Sequence, residues 1–115
     1  MVVRERDNLR YGGKCVSCPH RFTDWRVGHD GHWLPRSVCH SWFKFDVTNI
    51  ALQCKSCNVG LTFSAAHIGH AMGEELKRRY GDNVLARIQR DNRTFRGQKM
   101  EVWEIVARAE DLVRQ

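Results

Sequence analysis

Cys54-Lys55-Ser56-Cys57-Asn58 decides how this chain is read, together with its upstream counterpart Cys15-Val16-Ser17-Cys18. Two Cys-x-x-Cys pairs are the commonest way for a small intracellular domain to place four thiolates around one zinc ion. Two intervening residues let both sulfurs of a pair reach the metal at ~2.3 Å from a single turn. Residues 19–53 then form one loop closed by metal, longer than the separation in a plain zinc ribbon. A redox role fits less well, because two pairs are present and neither has a βαβ context. Gly12 and Gly13 lead into the first pair, where a knuckle needs backbone angles open to glycine. The fifth cysteine, Cys39, is read as a small core hydrophobe with no role.

At 115 residues the chain suits one small domain with an appendage, short enough that a metal staple is physically plausible. Its apolar content of 42% is too high for disorder. No apolar run approaches the ~20 residues needed to cross a bilayer, so no membrane partner is expected. The opening MVVRERDNLR carries charge where a signal peptide needs an apolar stretch, so the expected compartment is the cytoplasm, where thiols stay reduced. The formal charge of +6 favours a polyanionic partner, most simply nucleic acid, without separating DNA from RNA.

Along the chain, residues 1–10 are polar and unpatterned and read as an arm or a short helix. Thr23 to Gly28 alternates crudely and reads as a strand ending near Asp30. Trp33 to Lys44, broken by Pro35, reads as a long functional loop. Phe45 to Gln53 reads as a turn and a second strand, antiparallel to the first, that delivers Cys54. Ala65 to Tyr80 reads as a helix with Ile68, Met72 and Leu76 on one side, closed by Lys77, Arg78 and Arg79 and stopped at Gly81. Val84, Leu85 and Ile88 begin a short helix, and residues 90–99 read as a linker. Met100 to Gln115 carries an apolar stripe suited to intramolecular packing or to the seam of a homodimer. The division is a 1–10 arm, an 11–90 core, and a 91–115 linker and helix.

Inside the metal-closed loop sits His29-Asp30-Gly31-His32-Trp33, the only dense cluster of histidine and carboxylate in the chain. One-metal phosphodiester hydrolysis needs a base near neutral pH, for which histidine is suited, and a hard cation with oxygen or imidazole ligands and open positions. Residues two apart on a strand share a face, which favours Asp30 beside His32. A bulge at Gly31 would bring in His29 instead. His67 and His70 lie one helical turn apart, but such a pair is more often solvated than ligating.

With these residues in view, the chain resembles HNH endonucleases of the ββα-metal type. It is most similar to phage NinG (Rap) recombination proteins, which carry a Cys-x-x-Cys, a His-x-Gly-His-aromatic and an Asn-x-x-x-Gln-Cys-x-x-Cys-Asn in this order. Here these are Cys15–Cys18, His29–Trp33 and Asn49–Asn58. Phage endonuclease VII is similar in having asparagine right after its last zinc cysteine. The resemblance implies an α+β fold: a small zinc-stapled ββα-metal (HNH) core with additional C-terminal helices. It implies His32 as general base, Asn49 as the residue that fixes the hairpin loop, and Asn58 with Asp30 or His29 as ligands of a catalytic Mg²⁺ or Mn²⁺. It also implies a DNA endonuclease acting on branched or single-strand-containing recombination or replication intermediates, in a bacterial host cell. One departure stands out: many HNH enzymes place a carboxylate or histidine immediately before the base, and here that residue is Gly31.

Arg26, Arg36, Lys44 and Lys55 lie close to these motifs and are expected to neutralise phosphates. Trp33, Trp42, Phe43 and Phe45 could stack on exposed bases. The rival readings are a non-catalytic zinc-dependent DNA-binding adaptor and a protein–protein scaffold centred on the last helix.

Overall fold

Helix formation begins almost at the first residue. The computed structural model describes residues 2–35, 46–61, 63–95 and 107. Val3–Tyr11 form α1, which ends where Gly12 turns left-handed (φ 73°) and its N–H bonds the carbonyl of Asp7. A nine-residue helix is marginal on its own, and this one is docked by polar bonds, from Arg4 to the carbonyls of Arg26 and Gly28 and from the Leu52 N–H to Asp7. Arg6 Nε and Nη2 donate to Asp7 Oδ1 at 2.9 and 2.7 Å, and the backbone N–H of Leu52 donates to Asp7 Oδ2 at 2.7 Å. Both side chains are buried. The residues read as an arm or a short helix are therefore a docked helix.

Trp25–Val27 form a 3₁₀ turn, because the Asp24 carboxylate accepts from the Arg26 N–H at 3.0 Å and caps it. That turn displaces the strand expected over Thr23–Gly28. The strand, β1, is instead His29–His32, and it pairs with β2, Ile50–Gln53, in a two-stranded sheet. All four residues of β2 are buried. Lys55–Asn58 form a one-turn helix, α2, whose N-cap Cys54 accepts from the Cys57 N–H through sulfur. Asn58 closes α2, and α3 starts at Ala65.

Helix α3, Ala65–Tyr80, has the expected bounds, with Ile68, Met72 and Leu76 buried at four-residue spacing. Ser64 Oγ accepts from the His67 N–H at 3.1 Å at its start, and Gly81, at φ 100°, ends it. Helix α4, Val84–Phe95, is longer than its apolar residues indicated and takes in the first part of the expected linker. The C-terminal helix expected over 100–115 lies outside the described residues, except for Ala107, which is helical.

The chain divides into two units, residues 1–31 with 51–75 and residues 32–50 with 76–115. Cys15, Val16, Ala51, Leu52, Cys57, Ile68 and Met72 are the buried apolar residues of the first. Val47, Ile50, Leu76, Val84 and Ile88 are those of the second. The result is a small α+β protein with one two-stranded sheet and four α-helices among the described residues. None of these helices is long and apolar enough to cross a membrane.

Candidate metal centre

The first Cys-x-x-Cys pair rides a tight reversal in the first unit. Gly12 and Gly13 both take positive φ, and at Gly13 a Cβ would come within 2.9 Å of Asn8 Oδ1. The chain then folds back on itself through Phe22 N–H to Gly13 O and Cys15 N–H to His20 O, both 2.8 Å. Val16 N–H to Leu52 O, also 2.8 Å, ties the turn to β2. With the Gln53 and Cys54 bonds to Ser17 and Cys15, it holds the second pair, on the β2–α2 junction, opposite the first.

The four sulfurs of Cys15, Cys18, Cys54 and Cys57 all lie within 4.8 Å of one another, with Cys18 Sγ and Cys54 Sγ 3.8 Å apart. A tetrahedron with arms of ~2.3 Å has edges of about 3.8 Å, so the cage has the size of a zinc tetrathiolate. Amides already point at the sulfurs: Cys54 N–H to Cys15 Sγ at 3.3 Å and Cys57 N–H to Cys54 Sγ at 3.4 Å. Such donors stabilise thiolate, as metal ligation requires. Burial pushes the Cys57 thiol up to about 12 and raises Cys18 as well. At Cys15 burial also acts upward, but the amides of Cys54 and Ser17 and the Ser17 hydroxyl outweigh it and bring that thiol down to about 7. These four residues can hold a structural metal such as zinc. No other group of three or more histidine, cysteine or carboxylate ligands comes together among the described residues.

The cage has a polar lining that sequence reading missed. Ser17 Oγ lies 3.7 Å from Cys15 Sγ and accepts from Gln53 Nε2 at 3.0 Å. Nothing in the local pattern announces this pair; the only signal was that both residues sit within or beside the cysteine motifs.

One residue beyond the cage, Asn58 Nδ2 lies 3.0 Å from His29 Nδ1. Asp30, the alternative partner, turns elsewhere: its half-exposed carboxylate stands 3.7 Å from Arg4 Nε. Arg4 is itself fixed by donating to the carbonyls of Arg26 and Gly28 at 2.9 and 3.0 Å. Gly31 is buried, and a Cβ there would run into the Gln53 side chain, with Cδ at 2.8 Å and Cβ at 2.9 Å. His32 ends β1 and is partly buried. His67 stacks on Phe63 with ring centroids 4.7 Å apart.

In the second unit the Asn49 side chain is fully buried and clasps Leu34 at both ends. Its Oδ1 accepts from the Leu34 N–H at 2.7 Å and its Nδ2 donates to the Leu34 carbonyl at 3.2 Å. Trp33 N–H adds a 3.0 Å bond to the Asn49 carbonyl. The turn before β2 is ordered by buried Asp46, which accepts from Thr48 N–H at 2.9 Å and Thr48 Oγ1 at 2.6 Å. Arg87 of α4 faces Asp46 Oδ2 at 3.6 Å and donates to Thr48 Oγ1. Sequence reading passed over both Asp46 and Arg87.

Of the expected phosphate contacts, Arg26 is exposed, lies 4.9 Å over the Trp25 ring and pairs with Asp24 at 3.2 Å, while Lys55 is exposed at the start of α2. Arg36, Lys44, Cys39, Trp42, Phe43 and Phe45 lie outside the described residues.

No curated protein and no solved structure matches the chain. A family model does, that of the bacteriophage lambda NinG protein, and it spans residues 1–115. With the match running the length of the chain and the four cysteines gathered into one cage, the protein belongs to the NinG family of bacteriophage lambda.

Proposed function

We propose that this protein is a metal-dependent DNA endonuclease of HNH type, acting on branched or single-strand-containing recombination intermediates in the phage-infected bacterial cytoplasm. The observation that carries the reading is the 3.0 Å contact between His29 and Asn58, set directly beside the sulfur cage. An amide turned about its Cγ bond exchanges Nδ2 for Oδ1, which puts an oxygen beside an imidazole nitrogen. Two neighbouring ligands of an octahedral ion at ~2.1 Å stand about 3.0 Å apart, so the spacing suits Mg²⁺ or Mn²⁺. This supports His29 over Asp30 as the second ligand, since Asp30 is already paired with Arg4.

When bound, the ion would polarise the scissile phosphate and stabilise the leaving oxygen. The protein's own residues do the rest. His32 accepts the proton of the attacking water through a ring nitrogen. Asn49 holds the backbone at Leu34, two residues beyond His32, so that the base stays aimed. Arg26 and Lys55 bind neighbouring phosphates, which makes binding sensitive to salt.

The test is incubation of the zinc-loaded protein with linear, flapped and four-way DNA, with and without added Mg²⁺ or Mn²⁺. Wild type should cleave at least one branched substrate. His32→Ala should lose roughly 10²-fold or more of that activity and still shift DNA on a gel. DNA binding by wild type with no divalent-dependent cleavage under any condition would sink the enzyme reading and leave a zinc-held DNA adaptor.

A further inference from the structure

The outer wall of the sulfur cage is also the floor of a cleft, of whose lining, apart from the cage cysteines, only Lys55 has a role above. The cleft has a volume of about 530 Å³ and is lined by Phe22, Val27, Phe63 and His20, with Lys55 and Ser56 contributed by α2. That volume is within the usual range for a small-ligand site. Val27 is 68% exposed and Phe63 38% exposed, and unlike Val2, Leu9, Val59 and Leu61, the other exposed large apolar side chains of the first unit, they line this cleft. The rings are held rather than loose: Phe22 meets His20 edge-on at 4.8 Å, and Phe63 is stacked on His67.

We propose that this cleft receives one unpaired nucleotide of the DNA substrate, its base stacking on Phe63 and its phosphate held by Lys55. Three observations favour a nucleotide over an apolar peptide segment. Among the described residues, Lys55 is the one formally charged side chain lining the cleft, and its sign suits phosphate. Aromatic faces beside a cation are how proteins hold single strands without reading sequence. The cleft also lies next to the proposed cutting site along the chain: Lys55, Ser56 and Cys57 line it, and Asn58 is the next residue, ~3.8 Å along the backbone. A loaded tetrathiolate carries net negative charge, so the neutral base rather than the phosphate belongs against the cysteine wall. The proposal rests on the nuclease reading for its choice of DNA as ligand, and it accounts for a preference for branched over fully paired substrates.

The test is binding without added Mg²⁺ or Mn²⁺, using DNA with 2-aminopurine at an unpaired position of a flap or gap and a fully paired duplex as control. Phe63→Ala is compared with Phe63→Tyr, and zinc content is used to verify that each variant is folded. The expected result is a change in 2-aminopurine fluorescence with wild type and Phe63→Tyr. Phe63→Ala should abolish that change and weaken flap binding roughly tenfold, with duplex binding unaltered. Equal flap binding by Phe63→Ala and wild type overturns the proposal. So does the absence of any base-dependent signal, which would leave the cleft to an apolar peptide. Because cleavage is not read here, the two ideas fail separately. Cleavage without stacking removes only the cleft proposal, and stacking without cleavage removes only the nuclease.

Discussion

The sulfur cage and the His29–Asn58 pair are neighbours in the chain and opposites in construction. Around the cage nearly every group is bound more than once: amides reach the sulfurs, Ser17 and Gln53 fill the gap behind Cys15, and the knuckle is bonded to β2. His29 and Asn58 meet through one contact, with Asn58 on the surface. The contrast separates two duties. Groups that hold the fold are buried and redundantly satisfied. Groups able to take up an ion or a phosphate keep spare valence and access to solvent, and they contribute little to stability.

Removing the metal should break this contrast most completely. Structural zinc contributes apparent binding energies of ~10–16 kcal/mol in small metal-held domains. Cys15→Ser, or chelation of zinc, should therefore abolish the cooperative thermal transition seen by circular dichroism. Acid should act in the same direction. Burial holds the Cys18 and Cys57 thiols up, so metal uptake displaces protons from both and affinity falls as pH drops. Competition with a zinc-binding dye between pH 8 and pH 6 should show at least roughly a tenfold loss per pH unit.

Asp7 comes next. Replacing it by alanine removes the carboxylate that faces buried Arg6 and takes the side-chain acceptor from the Leu52 N–H, a change that costs ~3–5 kcal/mol for buried pairs. A urea melt should show the shift, and an unchanged midpoint would mean that α1 is not docked as described. In the second unit, Arg87→Met should cost about 1–3 kcal/mol, because it removes the guanidinium that faces buried Asp46. Smallest on stability is His29→Ala or Asn58→Ala, within about 0.5 kcal/mol, as for surface changes generally. If either variant melts much earlier than wild type, the pair belongs to the scaffold and the contrast fails.

How much of this could be read in the sequence follows the same line. The cage was legible because thiolate spacing is a local signal with one dominant use. Helix α3 was legible because Ile68, Met72 and Leu76 repeat at the helical period. Helix α1 was not, since its docking depends on Asp7 reaching Leu52, and periodicity of apolar residues cannot register a buried ion pair. The start of β1 was misjudged because Asp24 caps a turn through one side-chain bond, which outweighs the β-preferring residues around it. Ser17, Gln53, Asp46 and Arg87 act through partners distant in sequence, and no local pattern carries that information.

Gly31 constrains how this motif can change. The space a side chain would need there is taken by Gln53, which is itself anchored to Ser17 behind the cage. Positions 31 and 53 thus form a lock: a carboxylate introduced at 31 alone has nowhere to go, and freeing room by trimming 53 loosens the seating of the first cysteine knuckle. Any lineage or engineer wishing to place a carboxylate at position 31 must change both positions together and re-furnish the back of the sulfur cage in the same step.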